Sequence, residues 1–190
     1  MKQIVLAIDV MGGDFGPETT LQGVSMASKI YPNVRFKLYG DEFVSQKEIN
    51  KNGFDNYEFI HTTESIKSDD EPVNALRKLK KSSMRLGINE VSENKADGFV
   101  SAGNTGALMA ISKFVLKTLS GINRPAIAGL MPTLKGQTVI LDLGANVDCS
   151  NDNLVQFALM GDVFSQAVLG IEKPRIGLLN VGSELIKGNN

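Results

Sequence analysis

The sequence predicts an open, mainly parallel three-layer α/β sheet, similar to the isocitrate dehydrogenase and phosphotransacetylase type, on three observations. Short apolar runs alternate with longer stretches of helical periodicity. The first run, residues 4–8, is apolar throughout, as a strand covered on both faces by helices reads. Three strand ends run into glycine-rich turns, at Gly12-Gly13, Gly103 to Gly106 and Gly144 to Asn146.

The first strand stops at Asp9, and Pro17 then opens a helix carrying Leu21, Val24, Ala27 and Ile30 at three-residue intervals. Residues 34–38 alternate apolar and polar, which predicts a strand near a sheet edge, and residues 57–60 form a further short strand. Pro72 starts a helix with Val73, Leu76 and Leu79 on one face, and a second helical stretch runs from Ser82 toward Asn94. Residues 98–101 lead as a strand into the second glycine turn, and residues 107–117 have helical composition. Only residues 132–136 separate the runs 126–131 and 137–143, too few for a helical crossover, so an antiparallel hairpin is expected inserted in the sheet. After the third turn a helix spans about residues 153–169, with Leu154, Phe157, Ala158 and Gly161 on one face, and residues 175–181 make a last strand. With no helix left to cover that strand, residues 1–190 read as a single α/β domain, incomplete at its carboxyl end and without an internal boundary.

The balance of 20 basic and 21 acidic residues argues against nucleic acid as a partner, and no apolar run approaches the ~20 residues that cross a bilayer. One cysteine and no leader pattern place the chain in the cytoplasm. In open parallel sheets ligands bind beyond the carboxyl ends of the strands, where helix amino-termini present unpaired N–H groups. Each glycine turn taken alone is explained by a tight connection. Together with Asn104, Thr105 and Asn146, the three turns make a rim of neutral donors suited to a phosphate or an oxyanion. Neither the phosphate loop ending in Gly-Lys-Ser/Thr nor the dinucleotide fingerprint is present.

Asp9 to Asp14 (DVMGGD), Ser101 to Leu108 (SAGNTGAL) and Leu141 to Cys149 (LDLGANVDC) closely resemble the phosphate acyltransferase family of fatty acid and phospholipid synthesis. Arg124 to Ile127, Gln156 to Gly161 and Arg175 to Asn180 resemble it in the same order. The resemblance covers the whole chain but only the amino-terminal part of the longer family. It implies attack of inorganic phosphate on the thioester of acyl carrier protein, giving an acyl phosphate, with no cofactor and no metal. It also implies a homodimer and peripheral membrane contact through the part beyond this chain. On this basis Gly12, Gly13, Gly103, Asn104 and Thr105 are assigned to phosphate, Asn146 to the thioester oxygen and Lys187 to the charge of the acyl phosphate, while Asp9 and Asp14 flank the first glycine pair, close enough to orient a bound group or to keep the loop closed.

Simpler readings stand beside these. His61, the one histidine, has no ligand partner nearby in sequence, and Cys149 reads as a small apolar residue. Asp142 and Asp148 read as turn-forming, and Arg77, Lys78, Lys80 and Lys81 as a solvated helix face, with docking of the acidic carrier protein as the alternative. The rival functions are an oxidoreductase like isocitrate dehydrogenase, against which the missing dinucleotide signature counts, and a truncated fragment that binds phosphate or carrier protein without turnover.

Overall fold

A computed structural model describes residues 3–146, 148–180 and 182. The chain divides into two compact units, Met1–Thr118 and Leu119–Asn190.

The first unit holds four strands, β1 (Ile4–Asp9), β2 (Val34–Gly40), β3 (Tyr57–His61) and β4 (Gly98–Val100), in the order β3-β2-β1-β4 with every pair parallel. Five helices accompany them: α1 (Pro17–Ile30), α2 (Glu42–Asn52), α3 (Pro72–Lys78), α4 (Ser83–Ser92) and α5 (Thr105–Leu116). Successive strand residues face opposite sides. Ile8, Phe36 and Leu38 therefore pack against Leu21 and Val24 of α1 and Ile49 of α2, while Ala7 and Tyr39 pack on the other face against Ala96 and the α4 residues Leu86 and Val91. The result is the expected three-layer arrangement. A further core cluster joins Ala75 of α3, Met84 and Ile88 of α4 and Ala107 and Ile111 of α5 around Ile66.

Three expectations change here. β2 lies inside the sheet, not toward its edge. Its polar alternation arises because Lys37 pairs with Glu90 of α4, so a charge is tolerated beneath a helix when its partner is there. On α3 the buried side is formed by Ala75, with Leu76 and Leu79 partly buried, and Val73 is exposed. A helix not expected from periodicity, α2, follows β2. Its sequence is mostly polar, with Phe43 and Val44 exposed, and it is defined by its ends: Asp41 accepts from the amides of Phe43 and Val44, and Gly53 closes it in the left-handed region at φ 57.

In the second unit β5 (Ala128–Thr133) pairs antiparallel with β6 (Gly136–Leu141), from Ala128 opposite Leu141 to Thr133 opposite Gly136. The hairpin is as expected, but it forms a two-stranded sheet of its own instead of an insertion in the parallel one. Its two-residue loop lets each strand satisfy the other's inner edge without a third partner. Pro132, which has no N–H to donate, is tolerated in such a ribbon. Helix α6 (Asn151–Leu169) starts from a reciprocal capping box between Ser150 and Asn153 and ends at Gly170. It packs on β6, where a side chain at Gly161 would lie 2.8 Å from Leu141 Cδ1.

Of the last expected strand, residues 175–181, the described residues 175–180 form no strand, with Ile176, Leu178 and Leu179 exposed, and Val181 lies outside the described residues. An apolar alternation becomes a strand only where a neighbouring edge accepts it. No helix among the described residues is long and apolar enough to cross a membrane.

Candidate functional site: a cleft between two glycine turns

The strand order changes direction at β1. Its chain continues to β2 on one side, and β4 is added on the other, so the loops leaving β1 and β4 lie side by side at the carboxyl edge of the sheet. Such a switch point opens a crevice in open α/β sheets. Here a cleft of about 740 Å³ is lined by the first turn (Met11, Gly13, Asp14), the second turn and start of α5 (Ala102 to Gly106) and the segment 65–69.

Close packing of the two turns explains the glycines. A Cβ on Gly12 would stand 2.9 Å from the Gly103 amide nitrogen and 2.7 Å from Asp9 Oδ2. Gly13, at φ 90, lies against Ala102, where an added Cβ would meet the alanine Cβ at 3.2 Å.

Asp9 holds these turns in place. It is 3% exposed and accepts from Ser83 Oγ at 2.6 Å, Ser101 Oγ at 2.8 Å and its own turn's Met11 amide at 3.2 Å. The Gly103 amide in turn donates to Ser101 Oγ at 3.0 Å. One buried carboxylate thus ties the end of β1 to the end of β4 and to the start of α4, and its charge is compensated by donors. Asp9 and Gly12 do not line the cleft; Gly13, Asp14, Gly103, Asn104 and Thr105 do.

Asn104 caps α5. Its Oδ1 accepts from the Ala107 amide at 2.9 Å, and its own carbonyl accepts from Leu108 at 2.9 Å. Its Nδ2 lies at 3.2, 3.1 and 2.9 Å from the carbonyl oxygens of Lys67, Ser68 and Asp70. The Asn104 amide is therefore engaged by the protein, and it joins the 67–70 loop to the helix. Thr105 and Gly106 at the start of α5 both line the cleft, and their N–H groups have no intrahelical acceptor, as first-turn amides do not. With the positive end of the helix dipole, two such donors suit an anion.

The third turn belongs to the second unit. Asp142, at φ 65, accepts from the Asn146 amide at 3.2 Å and from Asn146 Nδ2 at 2.9 Å, and Asn146 Nδ2 also donates to the Pro125 carbonyl at 3.2 Å. Both side-chain hydrogens of Asn146 are thus taken up in shaping the turn. Asp142 is turn-forming as expected, and the Asp148 carbonyl accepts from Arg124 Nη1 at 3.0 Å. Burial, with the Asp142 carboxylate nearby, pushes the Cys149 thiol above its ordinary pKa, which disfavours the thiolate a covalent acyl carrier needs. His61 Nδ1 accepts from the Glu42 amide at 3.1 Å and its ring meets Phe43 edge-on, remote in role from the cleft. Lys187 lies outside the described residues.

Ser83, Ser101 and Lys67 were missed by sequence reasoning. The serines sit at a helix start and a strand end, where a hydroxyl beside a glycine turn is a usable signal. Lys67 lies in an unpatterned loop 37 residues before Asn104, and only the fold brings the two together.

The profile of a family described as fatty acid synthesis protein matches residues 4–190. The chain is 52% identical to a phosphate acyltransferase of Paramagnetospirillum magneticum over 98% of its own length and 54% of that protein's. It is 53% identical to one of Magnetococcus marinus over 97% of its length and 53% of the relative's, and 47% identical to one of Shewanella amazonensis over 100% and 56%. The chain spans about half the length of these curated relatives. The glycine turns that wall the cleft fall inside the matched region, and the chain belongs to the fatty acid synthesis protein family, among whose curated members are these phosphate acyltransferases.

Proposed function

We propose that the complete protein transfers a fatty acyl group in the cytoplasm from the thioester of acyl carrier protein to inorganic phosphate, and that the cleft of the first unit is its phosphate subsite. The observation that carries this reading is that Thr105 and Gly106, whose first-turn amides have no intrahelical acceptor, line one cleft together with the glycine turn at Gly13. A phosphate oxygen attacks the thioester carbonyl, the new C–O bond forms, the C–S bond breaks through a tetrahedral oxyanion, and the departing thiolate takes a proton from solvent or from phosphate. Phosphate is already anionic and a thiolate leaves readily, so holding the reactants and stabilising the oxyanion supply most of the acceleration. On this reading Asp9, Gly12, Gly103 and Asn104 keep the cleft walls in register, Gly13, Thr105 and Gly106 donate to phosphate, Asp14 borders it, Asn146 shapes the third turn, and Lys187 neutralises the acyl phosphate. Homodimerisation and peripheral membrane contact are assigned to the part of the relatives that the chain does not span.

The test is turnover by a protein of the relatives' full length, with acyl carrier protein thioester and phosphate, trapping acyl phosphate with hydroxylamine. Product formation in the presence of chelator and without nucleotide is expected. Its absence with phosphate, alongside activity toward a different acyl acceptor, sinks the reading. The 190-residue chain alone is expected to show little turnover, restored by adding the remaining fragment; full turnover by the purified monomeric chain contradicts this.

A further inference from the structure

The cleft carries an uneven charge. Among the described residues lining it, Asp14 and Asp69 are acidic and Lys67 is the one cation. Two neutral amides and a helix terminus do not hold a phosphate dianion against two carboxylates, because the Coulomb repulsion from each acid is of the same order as the attraction of the dipole. A phosphate subsite here requires a fixed positive charge.

The segment that carries Lys67 is held on both sides. Upstream, the Thr62 amide donates to the Gly40 carbonyl at 2.8 Å, Thr62 Oγ1 to the Lys81 carbonyl at 2.6 Å, and the Ser83 amide to the Glu64 carbonyl at 3.0 Å. Ile66, the residue before Lys67, is buried in the core cluster of α3, α4 and α5. Downstream, the Lys67 amide donates to Asp70 Oδ2 at 2.8 Å, the Asp70 amide returns a bond to the Lys67 carbonyl at 3.2 Å, and Asn104 gathers the carbonyls of residues 67, 68 and 70. The same Asn104 side chain caps α5. The backbone of Lys67 is thereby locked to the helix whose amino-terminus opens on the cleft, and among the described residues its ammonium forms no ion pair.

We infer that Lys67 supplies the charge that binds the phosphate in this cleft, from a loop positioned by Asn104. The inference rests on the phosphate reading above. A lysine on a fixed backbone offers three donors and a full charge while its stem adapts to a moving anion, which suits a substrate that must both bind and react.

The experiment is calorimetric titration of inorganic phosphate into the 190-residue chain, in the wild type and in Lys67→Ala, Lys67→Arg and Asp69→Asn, at two salt concentrations. Lys67 is exposed, so its variants are expected to fold, with circular dichroism as the check. Lys67→Ala should weaken phosphate binding about tenfold and flatten its salt dependence, Lys67→Arg should recover most of the loss, and Asp69→Asn should tighten binding about threefold. Wild-type affinity and salt dependence in Lys67→Ala overturn the role of Lys67 and leave the phosphate reading standing. No phosphate binding by the wild type overturns both.

Discussion

The two units turn similar sequence patterns into different amounts of packing. In Met1–Thr118 the residues Leu21, Leu38, Met84, Ile88 and Ile111 are fully buried, and helices cover both faces of the sheet. In Leu119–Asn190, Phe157 is the one buried hydrophobic side chain among the described residues, while Val155, Leu159 and Val163 run as an exposed apolar row along α6. Both units have a glycine turn tied by an aspartate. Asp9 is 3% exposed and is held by two serine hydroxyls from other elements, whereas Asp142 is only partly buried and bonds mainly to its own turn. Periodicity therefore reports which residues are apolar on a face, and burial depends on whether a second layer reaches that face.

Paired truncations should break this contrast if it is wrong. Leu38→Ala empties a site with no exposure and should cost about 2–5 kcal/mol. Leu159→Ala, on a residue 59% exposed, should change stability by no more than about 0.5 kcal/mol. Urea denaturation of each variant measures both, and similar losses would mean that α6 is packed as tightly as the sheet.

The glycine turns give a second, smaller pair. Gly12→Ala drives a Cβ to 2.7 Å from Asp9 Oδ2 and 2.9 Å from the Gly103 backbone, a clash that should cost about 1–3 kcal/mol and displace the cleft wall. Gly144→Ala meets no atom within 4 Å and bears only the strain of its φ of 81, about 1–2 kcal/mol. Phosphate affinity separates them: it should fall with Gly12→Ala and be retained with Gly144→Ala.

The pH dependence of Cys149 has the smallest expected effect. Its thiol holds its proton more tightly than in the unfolded chain, so the thiolate fraction is lower at any given pH and alkylation should rise only at higher pH. Iodoacetamide rates across pH, with and without denaturant, should show the native curve displaced upward. A native curve at lower pH would restore Cys149 as a candidate acyl carrier.

Most of the first unit was legible because its signals are local. Pro17 and Pro72 mark helix starts, Gly12-Gly13 and Gly103 mark turns, and the apolar run at residues 4–8 reads as a strand. What was not legible depended on partners distant in sequence: Lys37 needs Glu90 to sit beneath a helix, Lys67 needs Asn104 to hold its loop beside the cleft, and the alternation at Ile176 and Leu178 pairs with no strand among the described residues. The apparent donors Asn104 and Asn146 illustrate the same limit, since side chains that read as ligand groups are occupied by the protein itself, by backbone carbonyls at Asn104 and by the Asp142 carboxylate and the Pro125 carbonyl at Asn146.

The central claim is that the first unit alone builds the phosphate subsite. Amide N–H correlation spectra of the chain, titrated with inorganic phosphate, test it most directly. The account predicts saturable shifts at Gly13, Gly103, Thr105 and Gly106, with the amides of Gly144, Ala145 and Asn146 unmoved. Saturable shifts at the third turn with none at Thr105 and Gly106, or no saturable shift at all, would contradict it.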